Sequence, residues 1–391
     1  MPIEAISNLF KDKDFRKIVI IFAICKIFVI VIAVGTQFFI PADITHTEKV
    51  TDNIFLNPFA QYDATAYLYI AEHGYTSDFG GYHAANYHWY PLYPLLIRVF
   101  GFIGYPLAAF LIANIASFLA VTMLWLLVRD ELGKKIASKT IIYMLLFPTA
   151  FYFTVMYTEA LFLFLSVSVF YFAKKGQWKY VGLLGFLVAL TRIQGILLLI
   201  PAGYIYLRSI GFDYKKIGKK ALYFVGFPAG MLLFMIYEYL VLGDILAQFK
   251  SSIAYGKFLA WPWEGFQQAL YALTIDSTPI NIGYHVINLF LTISFIVLLY
   301  FSFKKLKLEY TIYYLITLVI ILISSNLFGI TRYMLVVFPM FMVLASLDNR
   351  RWYVKYSIIL IYIFFIALMG LSIILHVTER ASLSFLYTPI A

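Results

Sequence analysis

Long apolar runs separated by short polar turns set what this chain can fold into. A helix needs about 20 consecutive apolar residues to cross a bilayer's hydrocarbon, with a range of about 17–25. Eleven candidate runs occur, at 17–40, 105–128, 140–155, 157–173, 180–192, 193–207, 221–242, 281–303, 310–325, 332–347 and 356–375. Hydrophobic residues make up 63% of the chain and charged residues 13%, against about 45–50% and about 25% in soluble domains. No soluble core hides that much apolar surface, so the expected class is an all-α polytopic membrane protein. Residues 1–391 read as a single polytopic domain, with long extramembrane segments at 41–104 and 243–280. The region 180–207 is either one tilted helix or two, with Gly195 and Pro201 favouring a break near Arg192. Residues 92–104 read as re-entrant or interfacial. The first apolar run is too long for a signal-peptide core, so an uncleaved first span is expected.

Charge placement orients this layout. With the N-terminus in the cytoplasm, 22 of the 30 Lys and Arg residues fall on the inner side, seven fall outside, and Lys26 lies within a span. That asymmetry follows the positive-inside rule and, with eleven spans, puts the C-terminus outside. The basic clusters are short and scattered, which suits anionic headgroups and excludes a nucleic-acid surface. A single cysteine, Cys25, excludes a disulfide framework and a cysteine-ligated zinc site. No G-x-x-x-x-G-K-[ST] loop, dinucleotide-binding G-x-G-x-x-G or G-x-S-x-G elbow is present. Gly80-Gly81 is isolated.

The residues able to do chemistry gather at the outer edge. Asp63, Tyr67, Ile70 and Gly74 share one helical face, and Gly74 is a natural helix end. Tyr62, Tyr67, Tyr69 and Tyr75 would lay that helix along the membrane interface. Asp63 is either an ordinary N-cap or a general base. His73, His83 and His88, with Glu72 and Asp78, match no recognised metal spacing. No metal site is assigned, although a divalent cation requirement stays open. His88 and Trp89 stand where the chain re-enters the membrane at Tyr90-Pro91. Charges at the membrane are costly and face cavities or one another. Arg192 and Arg332 are therefore snorkelling or paired with Glu159, or they form a clamp for a lipid phosphate, which a guanidinium fork suits. Glu159 reads equally as a supporting ion-pair partner or a direct participant. Glu238 lies mid-span and reads as a partner for a neighbouring helix. Trp261-Pro262-Trp263 reads as an interface anchor.

At these residues the chain resembles the PIG-V family of mannosyltransferases, named for the enzyme that adds the second mannose in GPI-anchor assembly. The resemblance covers nearly the whole chain. It is carried by Tyr62-Asp63 through Ile70-Ala71-Glu72-His73-Gly74-Tyr75 and by Tyr90-Pro91-Leu92-Tyr93-Pro94. Tyr157-Thr158-Glu159-Ala160-Leu161-Phe162, Thr191-Arg192-Ile193-Gln194-Gly195, and Arg332-Tyr333 before Phe338-Pro339 extend it. Gln61-Tyr62 and Ile193-Gln194 depart from the family's usual Arg-aromatic and Ser-Asn. The resemblance implies a GT-C-type fold of about eleven transmembrane helices, with an interfacial-helix-bearing first extracytoplasmic loop holding an essential acid. It also implies a polyprenyl-phosphate sugar as co-substrate, no other cofactor, and a lipid-linked or glycan acceptor. Asp63 would then be the base, Arg192 and Arg332 would bind the donor phosphate, and Tyr67, His88, Trp89, Glu159 and Tyr333 would support or contact substrate. The expected membrane is a prokaryotic plasma membrane, with the endoplasmic reticulum as the alternative. A secondary transporter or flippase of a lipid-linked sugar, transfer of another sugar or of a phosphoethanolamine-like group, and a non-catalytic subunit of a membrane glycosylation complex are the rival readings. A small membrane partner subunit also stays open.

Overall fold

The computed structural model describes residues 9–40, 50–77, 86–254, 258–275, 279–347 and 352–378. Among these residues the regular structure is helical. The helices are α1 (Lys13–Phe39), α2 (Asp63–His73), α3 (Leu92–Val99), α4 (Tyr105–Leu132), α5 (Lys134–Leu145), α6 (Glu159–Lys174), α7 (Trp178–Ala189) and α8 (Leu199–Ser209). They continue with α9 (Gly226–Leu242), α10 (Ala247–Ala254), α11 (Glu264–Ile275), α12 (Pro279–Lys305), α13 (Leu308–Leu322), α14 (Ile330–Leu335), α15 (Phe338–Leu347) and α16 (Trp352–Val377).

Among the described residues, five helices are long and apolar enough to cross a membrane: Lys13–Phe39, Tyr105–Leu132, Lys219–Leu242, Ile282–Lys305 and Leu360–Val377. On α1, Ile20, Ile24, Ile27, Val31 and Phe38 are exposed along one flank, an apolar surface that a bilayer covers. The remaining apolar runs form shorter or interrupted helices. The 140–155 run stops being α-helical after Leu145 and turns through a 3₁₀ segment at Ala150–Phe153. Pro148 lies in that break and cannot continue the hydrogen-bond ladder. The 180–207 region is broken, because Arg192 is extended (φ −159°, ψ 153°) between α7 and the turn leading to α8.

The core is built on close helix contacts. Alanines at 108, 109, 113, 116 and 120 are buried on α4, which packs along α6. Small residues let helices approach closely where lipid supplies no hydrophobic drive. α7 and α9 meet so tightly that a Cβ on Gly226 would lie 2.1 Å from the Gly182 carbonyl oxygen. Lys26, in the middle of α1, is held by Asn114 Oδ1 (2.9 Å), the Phe153 carbonyl (2.5 Å) and Thr154 Oγ1 (3.1 Å). It fastens the 150–158 segment to the first helix.

α6 carries charge at both ends. At its C-terminus Lys174 bonds Glu309 (2.5 Å) and Glu131 (3.2 Å), Glu131 also takes Lys307 (2.8 Å), and Glu309 takes Arg208 (3.3 Å). Glu159 is at its N-terminus, about 23 Å away at 1.5 Å per residue. The basic residues assigned to the inner side therefore gather opposite the end that carries Glu159. Trp261 and Trp263 are stacked at 5.1 Å and exposed, an arrangement suited to an interface anchor.

Candidate active site

Four segments distant in sequence meet at the N-terminal end of α6. The first is the turn into α2. Asn57–Phe59 form a 3₁₀ turn with proline at its start, and the Phe59 carbonyl accepts the Met156 amide at 3.1 Å. Tyr157 donates its hydroxyl to the Gln61 carbonyl at 3.1 Å. Tyr62 then takes a left-handed backbone (φ 54°, ψ −120°), a conformation that costs a non-glycine residue about 1–3 kcal/mol and persists only where its surroundings impose it. The cap position thus belongs to Tyr62, and Asp63 is the first residue of α2. This corrects the N-cap alternative for Asp63: the carboxylate is freed from local backbone and turns to a partner far away in sequence.

That partner is Arg332. Its Nη1 lies 2.6 Å from Asp63 Oδ2, and its Nε donates to Glu159 Oε1 at 2.5 Å. Arg192 Nη1 donates to the same Glu159 oxygen at 2.7 Å. Glu159 is fully buried, its other oxygen has no hydrogen-bond partner among the described residues, and the Arg332 side chain is 6% exposed. Asp63 is more open, at 18%. Two carboxylates and two guanidiniums balance in charge, which is what makes burial of all four affordable. Both arginines also sit over aromatic rings, Arg332 over Tyr157 (4.3 Å) and Tyr152 (5.2 Å), Arg192 over Tyr333 (5.4 Å).

The arginine segments are shaped for this. After α7, the Leu190 carbonyl accepts the Leu92 amide at 2.9 Å, and Gly195 returns its amide to the Arg192 carbonyl at 2.8 Å. A Cβ on Gly195 would lie 2.1 Å from the Val188 carbonyl oxygen, so the turn tolerates only glycine there. Arg332 follows Gly329, whose positive φ of 71° opens α14. Thr149 anchors the same segment by donating to the Thr331 carbonyl at 3.1 Å.

Tyr67 is packed inside, one turn along α2 from Asp63. Its hydroxyl lies 3.3 Å from Thr158 Oγ1, and Ala64, Ala66, Leu68, Ile70 and Ala71 are buried with it. The expected interfacial setting of the Tyr67 ring is corrected: it faces the protein interior, where the small side chains let α2 pack against α3 and α4. Burial first, then the neighbouring Asp63 carboxylate, pushes the Tyr67 phenol well above its ordinary range. His88 Nδ1 lies 3.2 Å from Ser251 Oγ, and its ring lies 3.5 Å from that of Trp89. Burial pushes the imidazole down to about 4, against the upward pull of Asp63. The Trp89 carbonyl accepts the Tyr75 hydroxyl at 2.7 Å.

The structure thus brings Asp63, Glu159, Arg192, Arg332, Tyr67 and Tyr333 into one cluster, with His88 and Trp89 beside it. Asp78 and His83 lie outside the described residues, and no group of three or more His, Cys, Asp or Glu side chains able to hold a metal occurs among the described ones. Sequence reasoning missed Tyr152 and His376. The His376 ring is buried against Tyr62 (5.1 Å) and Phe151 (5.4 Å), and neither of its nitrogens has a hydrogen-bond partner among the described residues. The signal was available, since an ionisable residue inside an apolar run is unusual in itself.

The chain is thus an integral membrane protein of helical fold with a buried, charge-balanced ion cluster at one end of its core. No family model matches it, and no curated protein matches it. Among solved structures it is similar to ArnT from Cupriavidus metallidurans bound to undecaprenyl phosphate, at 13% identity over 89% of this chain and 63% of that one, with a TM-score of 0.47. It is also similar to the archaeal oligosaccharyltransferase AglB from Archaeoglobus fulgidus in complex with an inhibitory peptide and a dolichol-phosphate, at 14% identity over 95% and 56%, TM-score 0.46. A structure of the Archaeoglobus fulgidus oligosaccharyltransferase tethered to an acceptor peptide matches at 14% identity over 93% and 55%, TM-score 0.45. The chain spans less than two thirds of the length of each.

Proposed function

We propose that this protein is a GT-C-type glycosyltransferase that moves a hexose from a polyprenyl-phosphate donor to a lipid-linked or glycan acceptor at the extracytoplasmic membrane face. Mannose is the hexose that the PIG-V resemblance implies. The observation that carries the reading is the 2.6 Å pairing of Asp63 with Arg332, inside a cluster where Arg192 and Arg332 converge on Glu159. A carboxylate, the most exposed of the four, faces one of two cations fixed on a common counter-ion. That is the arrangement a base and an anionic leaving group require of each other.

In this mechanism the donor phosphate competes with Asp63 for Arg332. Its arrival releases the Asp63 carboxylate, which accepts the proton of the acceptor hydroxyl. The acceptor oxygen forms its bond to the anomeric carbon as the bond from that carbon to the phosphate oxygen breaks. The electron pair leaves on the polyprenyl phosphate, and the developing charge falls to Arg332 and Arg192. A single displacement inverts the anomeric centre. Proton removal by a positioned base contributes about 10²–10⁴-fold, and preorganised charge at the leaving group is often the larger contribution. Glu159 holds both guanidiniums in place before the lipid arrives. Tyr67, His88, Trp89 and Tyr333 surround the cluster and would support or contact the substrates.

The test is transfer of radiolabel from polyprenyl-phosphate mannose in liposomes. Asp63→Asn should lower transfer by at least about 10²-fold while the chain still inserts and folds, with a Tm loss like that expected for any removal of one carboxylate from the cluster. Normal turnover by that variant would remove Asp63 from the chemistry and with it this mechanism.

A further inference from the structure

Among α9, α10 and the Asn86-Tyr87 turn, four polar side chains are buried with atoms left unsatisfied. Among the described residues, neither carboxyl oxygen of Glu238, which is 0% exposed, has a hydrogen-bond partner, and Gln248, 2% exposed, has none at Oε1 or Nε2. Asn86 Nδ2 and the Tyr87 hydroxyl are likewise unpartnered, and both residues are fully buried. More than nine-tenths of buried polar groups find partners in folded proteins, so four such residues in one neighbourhood call for a cause.

They share that neighbourhood. Glu238 is near the end of α9, and the backbone amide of Gln248 lies beside its carboxyl without making a hydrogen bond of ordinary geometry. Tyr87 reaches α9 through Tyr75, whose ring lies 5.7 Å from that of Tyr237, the residue before Glu238. Asn86 adjoins Tyr87, and its Oδ1 is occupied by the Thr76 amide at 2.9 Å, which leaves the NH₂ as a donor. Aromatic rings frame the group: Tyr75 lies 4.9 Å from Tyr87 and 5.5 Å from Phe234. Ser251, three residues after Gln248 on α10, meets His88 at 3.2 Å, and His88 in turn feels Asp63. The helix that carries Gln248 thus reaches His88, a neighbour of the ion cluster.

Its chemistry selects among ligands. A prenyl tail would leave every one of these atoms unsatisfied. A phosphate would meet the Glu238 carboxyl, and the nearby Lys250 is already paired with Asp244 at 2.6 Å. A bare cation has no use for amide donors. A sugar ring offers hydroxyls that both donate and accept and a C–H face that lies against aromatic rings. We propose that Glu238, Gln248, Asn86 and Tyr87 form a recognition pocket for a neutral polyhydroxylated sugar ring, with Glu238 accepting its hydroxyl protons. The setting rests on the glycosyl-transfer reading above. Binding itself requires no turnover, and the ring could belong to the donor hexose or to a sugar of the acceptor.

The experiment is saturation-transfer NMR on the full chain in nanodiscs, with methyl α-D-mannopyranoside and methyl α-D-glucopyranoside as probes. The wild type should saturate the ring protons of at least one probe. Glu238→Leu and Gln248→Leu should each weaken Kd by about tenfold, the loss expected when a charge-assisted or paired hydrogen bond disappears. Glu238→Leu should melt no lower than the wild type, because it removes a buried carboxyl that the empty protein leaves unsatisfied. Loss of sugar with undiminished stability separates recognition from a structural role. No saturation of either probe by the wild type, which would leave the group holding water only, overturns the inference. So does equal saturation by Glu238→Leu. In the transfer assay, a KM raised for the donor alone or for the acceptor alone identifies which sugar enters, and no change in either counts against the pocket. Normal turnover by Asp63→Asn with sugar binding intact would sink the transfer mechanism and leave the pocket standing.

Discussion

Glu159 holds two buried guanidiniums on a single oxygen, and Glu159→Gln tests whether the ion cluster is what the geometry suggests. Arg332 Nε lies 2.5 Å and Arg192 Nη1 2.7 Å from Glu159 Oε1. With Asp63 included, the four side chains carry no net charge, so the substitution leaves one positive charge uncompensated in the interior. Removing one partner of a buried ion pair costs about 3–5 kcal/mol. With an unfolding entropy of about 2.1 cal/mol/K per residue over a chain of this length, that loss lowers Tm by about 4–6 °C. The surplus positive charge should also draw in an anion more strongly. Undecaprenyl phosphate added to nanodiscs is therefore expected to raise the Tm of Glu159→Gln by more than it raises that of the wild type. Thermal melts followed by tryptophan fluorescence, with and without the lipid, read both effects. An unchanged Tm, or a lipid shift no larger than in the wild type, would show that Glu159 is not the counter-ion on which the arginines depend.

Two further substitutions probe the surroundings. The buried His88 imidazole, pushed down to about 4, stays neutral where the unfolded chain takes up a proton near pH 6.5; stability should therefore fall as pH drops from about 6.5 to 4, by up to about 3 kcal/mol. His88→Gln should flatten that slope in unfolding measured against pH. Gly195→Ala forces a Cβ to within 2.1 Å of the Val188 carbonyl oxygen, and the turn bearing Arg192 must open; a stability loss of about 1–3 kcal/mol together with reduced label transfer is expected, and wild-type values for both would show that the turn yields freely.

The candidate site was partly legible because charge in an apolar chain is conspicuous. Asp63, Glu159, Arg192 and Arg332 stand out at the edges of apolar runs, and the structure puts all four in contact. The pairing itself was not legible. Whether Asp63 caps its own helix or reaches Arg332 is decided by the left-handed backbone at Tyr62, which no local propensity favours. The setting of Tyr67 was misjudged for a similar reason. Tyrosines read as interfacial rings in a sequence, yet Tyr67 is buried because the alanines around it let the helix sink inward. Lys26 looked like an isolated charge in a span until three acceptors from α4 and the 150–158 segment surrounded it.

By itself the sequence determined the solvent: runs of apolar residues this long and numerous are stable only in lipid, and hydrophobic transfer depends on composition and period alone. It also determined which residues would be costly to bury. Only the tertiary structure decided how that cost is met. Asp63 and Arg332, remote in the chain, meet at 2.6 Å, whereas the Glu238 and Gln248 side chains find no hydrogen-bond partner among the described residues. Electrostatic compensation acts through space between groups hundreds of residues apart, and no local pattern in a chain records which charges the fold will bring together.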